Sequence, residues 1–291
     1  MSNPDQIQRI LFDNLDIRGV VVGIEETYQD ILALHEYPMA IRQALGEMLA
    51  AVSLLSTTLK FEGRLLLQAQ GSGRVRALMA EINQNRECRA IARYEGEVDD
   101  SANIIDLIGD AGHLVITVEP ESGQRYQGIV PLEKDTLSDC LTDYFLQSEQ
   151  LPTQIHLAAD DQRAAGFLLQ VMPAVGTKEN DWEHISHIGA TLKSEELLEL
   201  DNETLLYRLF HEENCRLFDP DPVVFKCDCS RERSANALQF MTQEELSEMI
   251  AEQGVIEVGC QFCNAHYRFD ETDIKAMFSD SAHVPKSDQV H

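Results

Sequence analysis

The chain has 291 residues, of which 44% are hydrophobic and 25% are charged; these fractions argue against wholesale disorder, and the length predicts about two domains. Its 50 acidic residues outnumber its 23 basic residues, which gives a formal charge of −27. Because such a surface repels phosphate backbones and anionic lipids, the composition disfavours a nucleic-acid or membrane-surface binding protein.

The N-terminal segment 1–16 is polar, with Asp5, Arg9 and Asp13 interrupting any apolar run, so no secretory signal is predicted. The uncharged stretch 48–59 is about a dozen residues long, which is too short to span a bilayer. We therefore expect a cytoplasmic protein. Thiols stay reduced in the cytoplasm, so the seven cysteines suggest metal or redox chemistry before structural disulfides.

The first part of the chain predicts a mixed α/β domain. Residues 11–24 favour strand, most clearly at 20–22, and Pro38 opens a long helix that Gly63 is expected to end. Apolar residues recur along one face of that helix at alternating steps of four and three: Ile41, Leu45, Met48, Val52, Leu55 and Leu59.

Strands and one further helix are predicted after Gly63. The strands are 65–70, 75–82, 88–94, 114–118, 126–130, 155–159 and 166–172; the helix is 136–150. A glycine-rich turn at 71–73 joins the first two strands as a hairpin. Pro173 and Gly176 are expected to close an α/β domain over residues 1–176.

Residues 177–222 are predicted to form a charged helical linker. Two narrow apolar stripes mark its helices: Trp182, Ile185, Ile188 and Leu192, then Leu205, Leu206, Leu209 and Phe210. Because stripes this narrow cannot form a core of their own, the helices must pack on another part of the molecule. The run Asp-Pro-Asp-Pro at 219–222 predicts a boundary.

The last unit, residues 223–291, contains a well-marked helix. Thr242 and Glu245 form a capping box, and Gly254 is a suitable C-terminal stop. This unit has few large apolar residues, so we expect a bound metal to supply the stability that its core lacks. The polar tail after Phe278 is expected to be disordered.

Four cysteines of this unit form a CxC and a CxxC pair, Cys227 with Cys229 and Cys260 with Cys263, separated by thirty residues. Two close thiolate pairs make a tetrahedral site suited to zinc, so we predict one Zn²⁺ per chain held by these four sulfurs. A structural zinc ribbon is one interpretation. A redox switch is the other, because oxidation of a metal-bound thiolate would release the metal that keeps the unit folded.

Several sequence runs resemble the Hsp33 family of redox-regulated chaperones. They are LLYRLFHEENCRLFDPDPVVFKCDCSRER at 205–233, YFLQSEQLPT at 144–153, GFLLQVMP at 166–173 and the CxC-x30-CxxC spacing. The likeness extends over nearly the whole chain. One departure is Ala164-Ala165-Gly166, where a second glycine is expected; we interpret these residues as part of a turn.

The resemblance implies a mechanism. The reduced, zinc-bound form would be inactive, and oxidant with mild unfolding would expel zinc. Disulfides would then form within each pair, Cys227–Cys229 and Cys260–Cys263. The linker helices would come loose, homodimers would form, and unfolded client proteins would be held without ATP to prevent aggregation under oxidative stress. No catalytic residue and no enzyme activity are implied.

Two other functions are considered from the sequence. A thiol–disulfide oxidoreductase could use Cys260 and Cys263, but this pair lacks the βαβ context of thioredoxin-like sites. A nucleic-acid-binding zinc ribbon would need a basic stripe, and acids outnumber bases in this unit. His211 and Cys215, four apart, are a weak candidate ligand pair on one helix face. Cys88 and Cys140 are interpreted as small buried apolar groups.

Overall fold

The computed structural model describes residues 5–13, 15–58, 62–172 and 179–280. The chain divides into two compact units, Met1–Lys226 and Cys227–His291. None of the helices in the described ranges has the length and low charge content of a bilayer-spanning segment.

The first unit contains a six-stranded antiparallel sheet, called the first sheet. Its strands are β1 (Gln6–Phe12), β2 (Ile17–Ile24), β8 (Thr153–Ala159), β9 (Ala164–Val171), β10 (Cys215–Leu217) and β11 (Asp221–Pro222). The order is β10-β1-β2-β9-β8, and β11 also pairs with β1. Strand β2, with its run of valines, is buried along nearly its whole length, as expected for a strand covered on both faces.

The second sheet also has six strands. They are β3 (Gly63–Gln70), β4 (Val75–Asn83), β5 (Glu87–Tyr94), β6 (His113–Pro120), β7 (Tyr126–Pro131) and β12 (Val224–Phe225), in the order β12-β5-β4-β3-β6-β7. Strand β12 pairs parallel to β5, and the other pairs are antiparallel. Burial alternates along β3, which shows that only one face of this sheet carries the core.

Helix α2 (Met39–Leu55) packs against strands of both sheets and carries the main core. Pro38 precedes it, as predicted. The helix ends at Leu55 and not at Gly63, and Leu59 lies outside the described residues. Gly63 instead opens β3 at φ +148°, where a Cβ would lie 2.1 Å from the carbonyl oxygen of Glu119.

The other helices of the first unit are α1 (Glu26–Leu32), α3 (Ile104–Ile108), α4 (Leu137–Gln147), α5 (Glu179–Gly189), α6 (Ser194–Glu199) and α7 (Asn202–Phe210). Helices α5 to α7 are the predicted linker helices, and their apolar residues share a core with the first sheet. They cover the face of that sheet opposite α2, since alternate residues of β2 and β9 belong to the two cores.

The second unit contains α8 (Arg231–Leu238), α9 (Gln243–Gln253), the hairpin of β13 (Ile256–Gly259) and β14 (His266–Phe269), and α10 (Glu271–Asp280). The capping box of Thr242 and Glu245 is present, and Gly254 ends α9 in the left-handed conformation at φ +79°. Both features were predicted. Residues 281–291, which contain most of the predicted disordered tail, lie outside the described residues.

The mixed α/β fold class is confirmed, and so are the predicted strands from β3 onward. Helices α1 and α3 and the short strands β10 to β12 were not predicted. One interpretation was wrong: Ala164, Ala165 and Gly166 begin the interior strand β9 and are not part of a turn. A Cβ at Gly166 would meet Leu54 Cδ1 at 2.8 Å, so this glycine allows α2 to lie close to the sheet.

Strands β10 to β12 explain why the first unit extends past Pro222, where a boundary was predicted. They return the chain to both sheets, so this unit ends at Lys226. The closing residues Pro173 and Gly176 lie outside the described ranges. The functional division into residues 1–176, 177–222 and 223–291 stays a prediction.

Candidate functional site

Cys227 and Cys229 lie immediately before helix α8. Its N-cap, Ser230, accepts a hydrogen bond from the backbone N–H of Arg233 at 3.1 Å. The Arg233 side chain in turn forms an ion pair with Asp228, the residue between the two cysteines. Cap and ion pair together hold this CxC segment against the start of the helix.

Cys260 and Cys263 lie in the turn that joins β13 to β14. The backbone N–H of Cys260 donates to the carbonyl oxygen of Ala265 at 2.7 Å, and that of Asn264 donates to the carbonyl oxygen of Cys260 at 2.8 Å. Asn264 adopts the left-handed conformation at φ +56°, which asparagine tolerates better than most residues. The tight turn presents both thiols on one side of the hairpin.

The four thiols converge, and each cysteine is half-buried. Their Sγ atoms lie within 4.8 Å of one another; the Cys227–Cys260 and Cys229–Cys263 sulfur distances are 3.6 and 3.4 Å. A tetrahedral zinc ion with Zn–S bonds of about 2.3 Å separates its sulfurs by about 3.8 Å. The observed cluster therefore fits a tetrahedral four-thiolate site.

The electrostatics of the cluster also favour a cation. Burial raises the pKa of the Cys263 thiol to about 12, and hydrogen bonds with the thiols of Cys229, Cys227 and Cys260 act in the same direction. Thiols in such a cluster resist ionisation unless a positive charge compensates them. A divalent metal supplies that charge, so a metal site is the chemistry that this geometry supports.

One contact of the cluster was missed by the sequence analysis. The hydroxyl of Tyr267, on β14, donates a hydrogen bond to the Sγ atom of Cys229 at 3.1 Å. No motif spacing marks Tyr267, because its proximity to Cys229 depends on how the hairpin meets the CxC segment in three dimensions.

The unit that holds the four thiols has a very small core. Among its described residues only five hydrophobic side chains are buried together: Leu238, Leu246, Ile256, Phe269 and Ile274. This agrees with the predicted shortage of core. A cluster of five side chains buries too little surface to stabilise a unit of this size without a further constraint.

In the first unit the linker helices cover the first sheet. Phe210 of α7 packs edge-on against Phe12 of β1, with ring centroids 5.0 Å apart, and stacks on Phe167 of β9 at 6.2 Å. All three rings are buried. The predicted stripes do lie on another part of the molecule: Ile185 and Leu209 are buried in the same core.

The three remaining cysteines lie outside the cluster. Cys88 and Cys140 are buried, as predicted, and burial raises the pKa of Cys88 to about 12. Burial also raises the pKa of Cys140 and of Cys215, so all three are poorly ionised thiols. His211 and Cys215 do not form the suggested ligand pair on one helix face, because α7 ends before His211 and Cys215 lies on β10.

Comparisons with known proteins show the family of the chain. The family model of the Hsp33 protein matches residues 5–270. A 33 kDa chaperonin of Shewanella loihica is 50% identical over 284 residues, 98% of each chain. The chain belongs to the Hsp33 family. A 33 kDa chaperonin of Pseudomonas paraeruginosa is also 50% identical, over 96% of each chain.

A crystal structure of the Hsp33 homologue from Thermotoga maritima has the same fold. It is 24% identical, and the alignment covers 97% of this chain and 100% of that one, with a TM-score of 0.83. As a member of the Hsp33 family the protein is a molecular chaperone, and redox regulation follows from the family.

Proposed function

We propose that this Hsp33 chaperone is an ATP-independent holdase whose redox switch is the cluster of Cys227, Cys229, Cys260 and Cys263. The supporting observation is that four sulfurs lie within 4.8 Å of one another, in a unit whose described residues include only five buried hydrophobic side chains. In this proposal the reduced, zinc-bound form is inactive. The oxidised, zinc-free form binds unfolding proteins and prevents their aggregation.

The four cysteines would hold one Zn²⁺ per chain, which when bound supplies the positive charge that lets neighbouring thiols ionise together. Zinc binding in small modules contributes about 10–16 kcal/mol of apparent folding free energy. Moving a two-state equilibrium from 1:99 to 99:1 requires about 5.5 kcal/mol. The folding free energy lost with the metal is therefore large enough to unfold this unit.

Oxidation by hydrogen peroxide would proceed in two steps for each cysteine pair. One thiolate attacks a peroxide oxygen, the O–O bond breaks, and a sulfenic acid and hydroxide form. The second thiolate then attacks the sulfenic sulfur, the S–S bond forms and a second hydroxide leaves. Two electrons pass from sulfur to peroxide, and two protons from solvent convert both hydroxides to water.

We propose that the bonds form within the pairs, as Cys227–Cys229 and Cys260–Cys263. The sulfur contacts of 3.6 and 3.4 Å in the reduced form each join one pair to the other. A disulfide within each pair therefore requires the sulfurs to leave this arrangement. That requirement would couple oxidation to loss of local structure.

The output of the switch would be the face of the first sheet beneath α5 to α7. In this proposal residues 1–176 form the client-binding domain, 177–222 the redox-sensitive linker and 223–291 the switch. Release of the linker would expose Phe12, Val21 and Phe167, and a contiguous apolar surface of this kind binds unfolded chains. The same face would support a homodimer of the activated protein.

The test uses Trp182, the single tryptophan, which lies on α5 and packs, partly buried, against the core that the linker shares with the first sheet. Peroxide at mild heat should release one zinc per chain, red-shift Trp182 emission and make the protein suppress aggregation of a thermally unfolding client without ATP. A Cys215→Ser variant serves as control and should respond like the parent. Equal chaperone activity in reduced and oxidised forms would refute the switch.

We further propose that the protein works in the cytoplasm, where a zinc–thiolate site stays reduced, and that it is not an enzyme. An insulin-reduction assay tests the oxidoreductase alternative: multiple turnover with an electron donor would contradict the holdase. The acidic composition supports the absence of nucleic-acid and membrane partners. Salt-dependent DNA binding would contradict that part of the proposal.

A further inference from the structure

Tyr267 connects the two arms of the thiol cluster. It lies on β14, on the hairpin that carries Cys260 and Cys263, yet its hydroxyl donates to Cys229 of the other arm at 3.1 Å. Its backbone is held in register opposite Val258 of β13. Two residues further along, Phe269 pairs with Ile256, and both side chains are buried in the core of the unit.

The position of this hydroxyl is therefore fixed by a paired and anchored strand and not by a free loop. Tyr267 itself is half-buried, and its ring packs at the edge of the small core. The contact between the hydroxyl and the sulfur is therefore partly buried and is less open to competition from water than a contact between surface groups.

A hydrogen bond to a thiolate has two chemical consequences. It stabilises the charged sulfur, since hydrogen bonds to ionised groups are stronger than those between neutral groups. It also lowers the electron density available for attack, because the nucleophilicity of a thiolate falls as the thiolate becomes more stable. Both consequences apply to Cys229.

We propose that Tyr267 is a positioning residue that holds the Cys229 sulfur in the cluster and restrains its reaction with electrophiles. The inference rests on the proposed function, because it treats Cys229 as a reactive thiolate of the switch. A hydrogen bond to a charged group stabilises the thiolate, and about half of that free energy is expected to appear in the activation barrier for attack by the sulfur. Removal of the hydroxyl should therefore accelerate the reaction of Cys229 about three- to tenfold.

The first test is the Tyr267→Phe variant, which keeps the ring and removes only the hydroxyl. Reduced, metal-loaded protein is treated with iodoacetamide, which forms an S–C bond as iodide leaves, and modification of each cysteine is followed by peptide mass spectrometry. We expect Cys229 to react three- to tenfold faster, with the other three ligands within twofold of the parent. Tyr207→Phe, at an exposed position of α7, is the matched control and should change nothing.

A spectroscopic measurement separates positioning from packing. In Co²⁺-loaded protein, loss of the hydrogen bond should move the sulfur-to-cobalt charge-transfer band to lower energy, because an electron-rich sulfur is easier to oxidise. Loss of core packing alone would not shift that band. An unshifted band, an unchanged Cys229 rate, or equal acceleration of all four cysteines would overturn the role of Tyr267.

A second experiment does not depend on the stability of the Tyr267→Phe variant. Replacement of all seven tyrosines by 3-fluorotyrosine strengthens the phenol as a donor, so Cys229 should react more slowly than in the parent; an unchanged or faster rate contradicts the inference. Absence of metal from the parent protein would refute the proposed zinc site instead. In metal-free protein at neutral pH an unliganded thiol reacts through its thiolate fraction, which the hydroxyl would increase, so Tyr267→Phe should there slow the alkylation of Cys229; an unchanged or faster rate would again contradict the role of Tyr267.

Discussion

The two faces of the first sheet are both buried, yet they are covered in different ways. On one face lies α2, a helix of 17 residues that also packs against the second sheet. On the other lie the linker helices α5, α6 and α7, with 11, 6 and 9 residues. Isolated helices shorter than about 12–15 residues are marginal in water, so the linker helices depend on the sheet for their structure.

This difference shows how one strand sequence can serve two functions. Val20 and Val22 of β2 face the core shared with α2, whereas Ile17 and Val21 face the linker helices. Removal of α2 would destroy the unit, because both sheets pack on it. Removal of the linker helices would leave two sheets and α2 in place and expose a large apolar face.

The largest expected effect comes from truncating a buried side chain of the linker helices. Phe210→Ala removes a buried ring that contacts Phe12 and Phe167 and should weaken linker docking by about 3–5 kcal/mol. Hydrogen exchange over residues 179–210 should then accelerate, Trp182 emission should shift to the red, and the reduced protein should suppress aggregation.

Leu45→Ala on α2 is the matched change on the other face, since Leu45 is equally buried. It should cost about 2–5 kcal/mol in global unfolding by denaturant, without chaperone activity in the reduced form. If both variants loosened the linker to the same extent, the two faces would not be independent and the comparison would fail.

A smaller effect is expected at Gly189, where α5 packs closely on the sheet. A Cβ at this position would lie 2.4 Å from Gln154 Oε1 and 2.7 Å from Leu169 Cδ1. Overpacking of this kind costs about 1–3 kcal/mol, and the gain in helix propensity from alanine offsets part of it. Gly189→Ala should therefore weaken linker docking by about 1–2 kcal/mol.

Trp182 fluorescence and hydrogen exchange would again report the change. His187→Ala, at an exposed position of the same helix, is the control and should leave docking unchanged. Tighter docking in Gly189→Ala than in the parent would mean that helix propensity, and not contact with the sheet, limits the stability of the linker.

Much of this organisation was predictable from local patterns. The alternating steps from Ile41 to Leu55 predicted α2, and the narrow stripes at 182–192 and 205–210 predicted helices that need a partner surface. The paired spacing of the four cysteines predicted their convergence. These features depend on periodicity or on short spacings, which the sequence displays directly.

The features that were missed depend on contacts between distant parts of the chain. Strand β11 contains Pro222, and its sequence predicts a break in secondary structure. The strand nevertheless pairs with β1, because proline is tolerated on an edge strand. The contact of Tyr267 with Cys229 and the approach of Gly189 to Gln154 depend on tertiary packing. The early end of α2 at Leu55 has no breaker residue to mark it.

The smallest expected effect concerns a cavity of about 480 Å³ at the linker boundary of the first unit. Its charged and titratable groups are Glu47 of α2, Asp139 of α4, His156 of β8 and Lys193 before α6. No hydrogen bond or ion pair is found for the Glu47 carboxyl within the described residues. The His156 Nε2 atom is buried, also without a hydrogen-bond partner.

Burial raises the pKa of Glu47 from 4.5 to about 7, and burial lowers the pKa of His156, with Asp139 acting in the opposite direction. Undocking of the linker would hydrate both groups. The docked state retains a proton on Glu47 that the undocked state loses, so raising the pH from about 4.5 to 7 should weaken docking. Lowering the pH below about 6.5 should also weaken docking, because hydrated His156 takes up a proton more readily.

The two groups act in opposite directions between about pH 4.5 and 6.5, so their effects partly cancel in the parent protein, and each single variant should reveal the effect of the other group. Because water enters part of the cavity, we expect about 1 kcal/mol from each group. Hydrogen exchange over residues 179–210 in reduced protein, corrected for intrinsic rates between pH 5 and 8, measures this. In Glu47→Gln docking should weaken as the pH falls below about 6.5, and in His156→Gln docking should weaken as the pH rises from 5 to 7. Glu195→Gln, at an exposed carboxylate of α6, should keep the parent profile; a pH profile that all three variants share with the parent would show that neither cavity group affects docking.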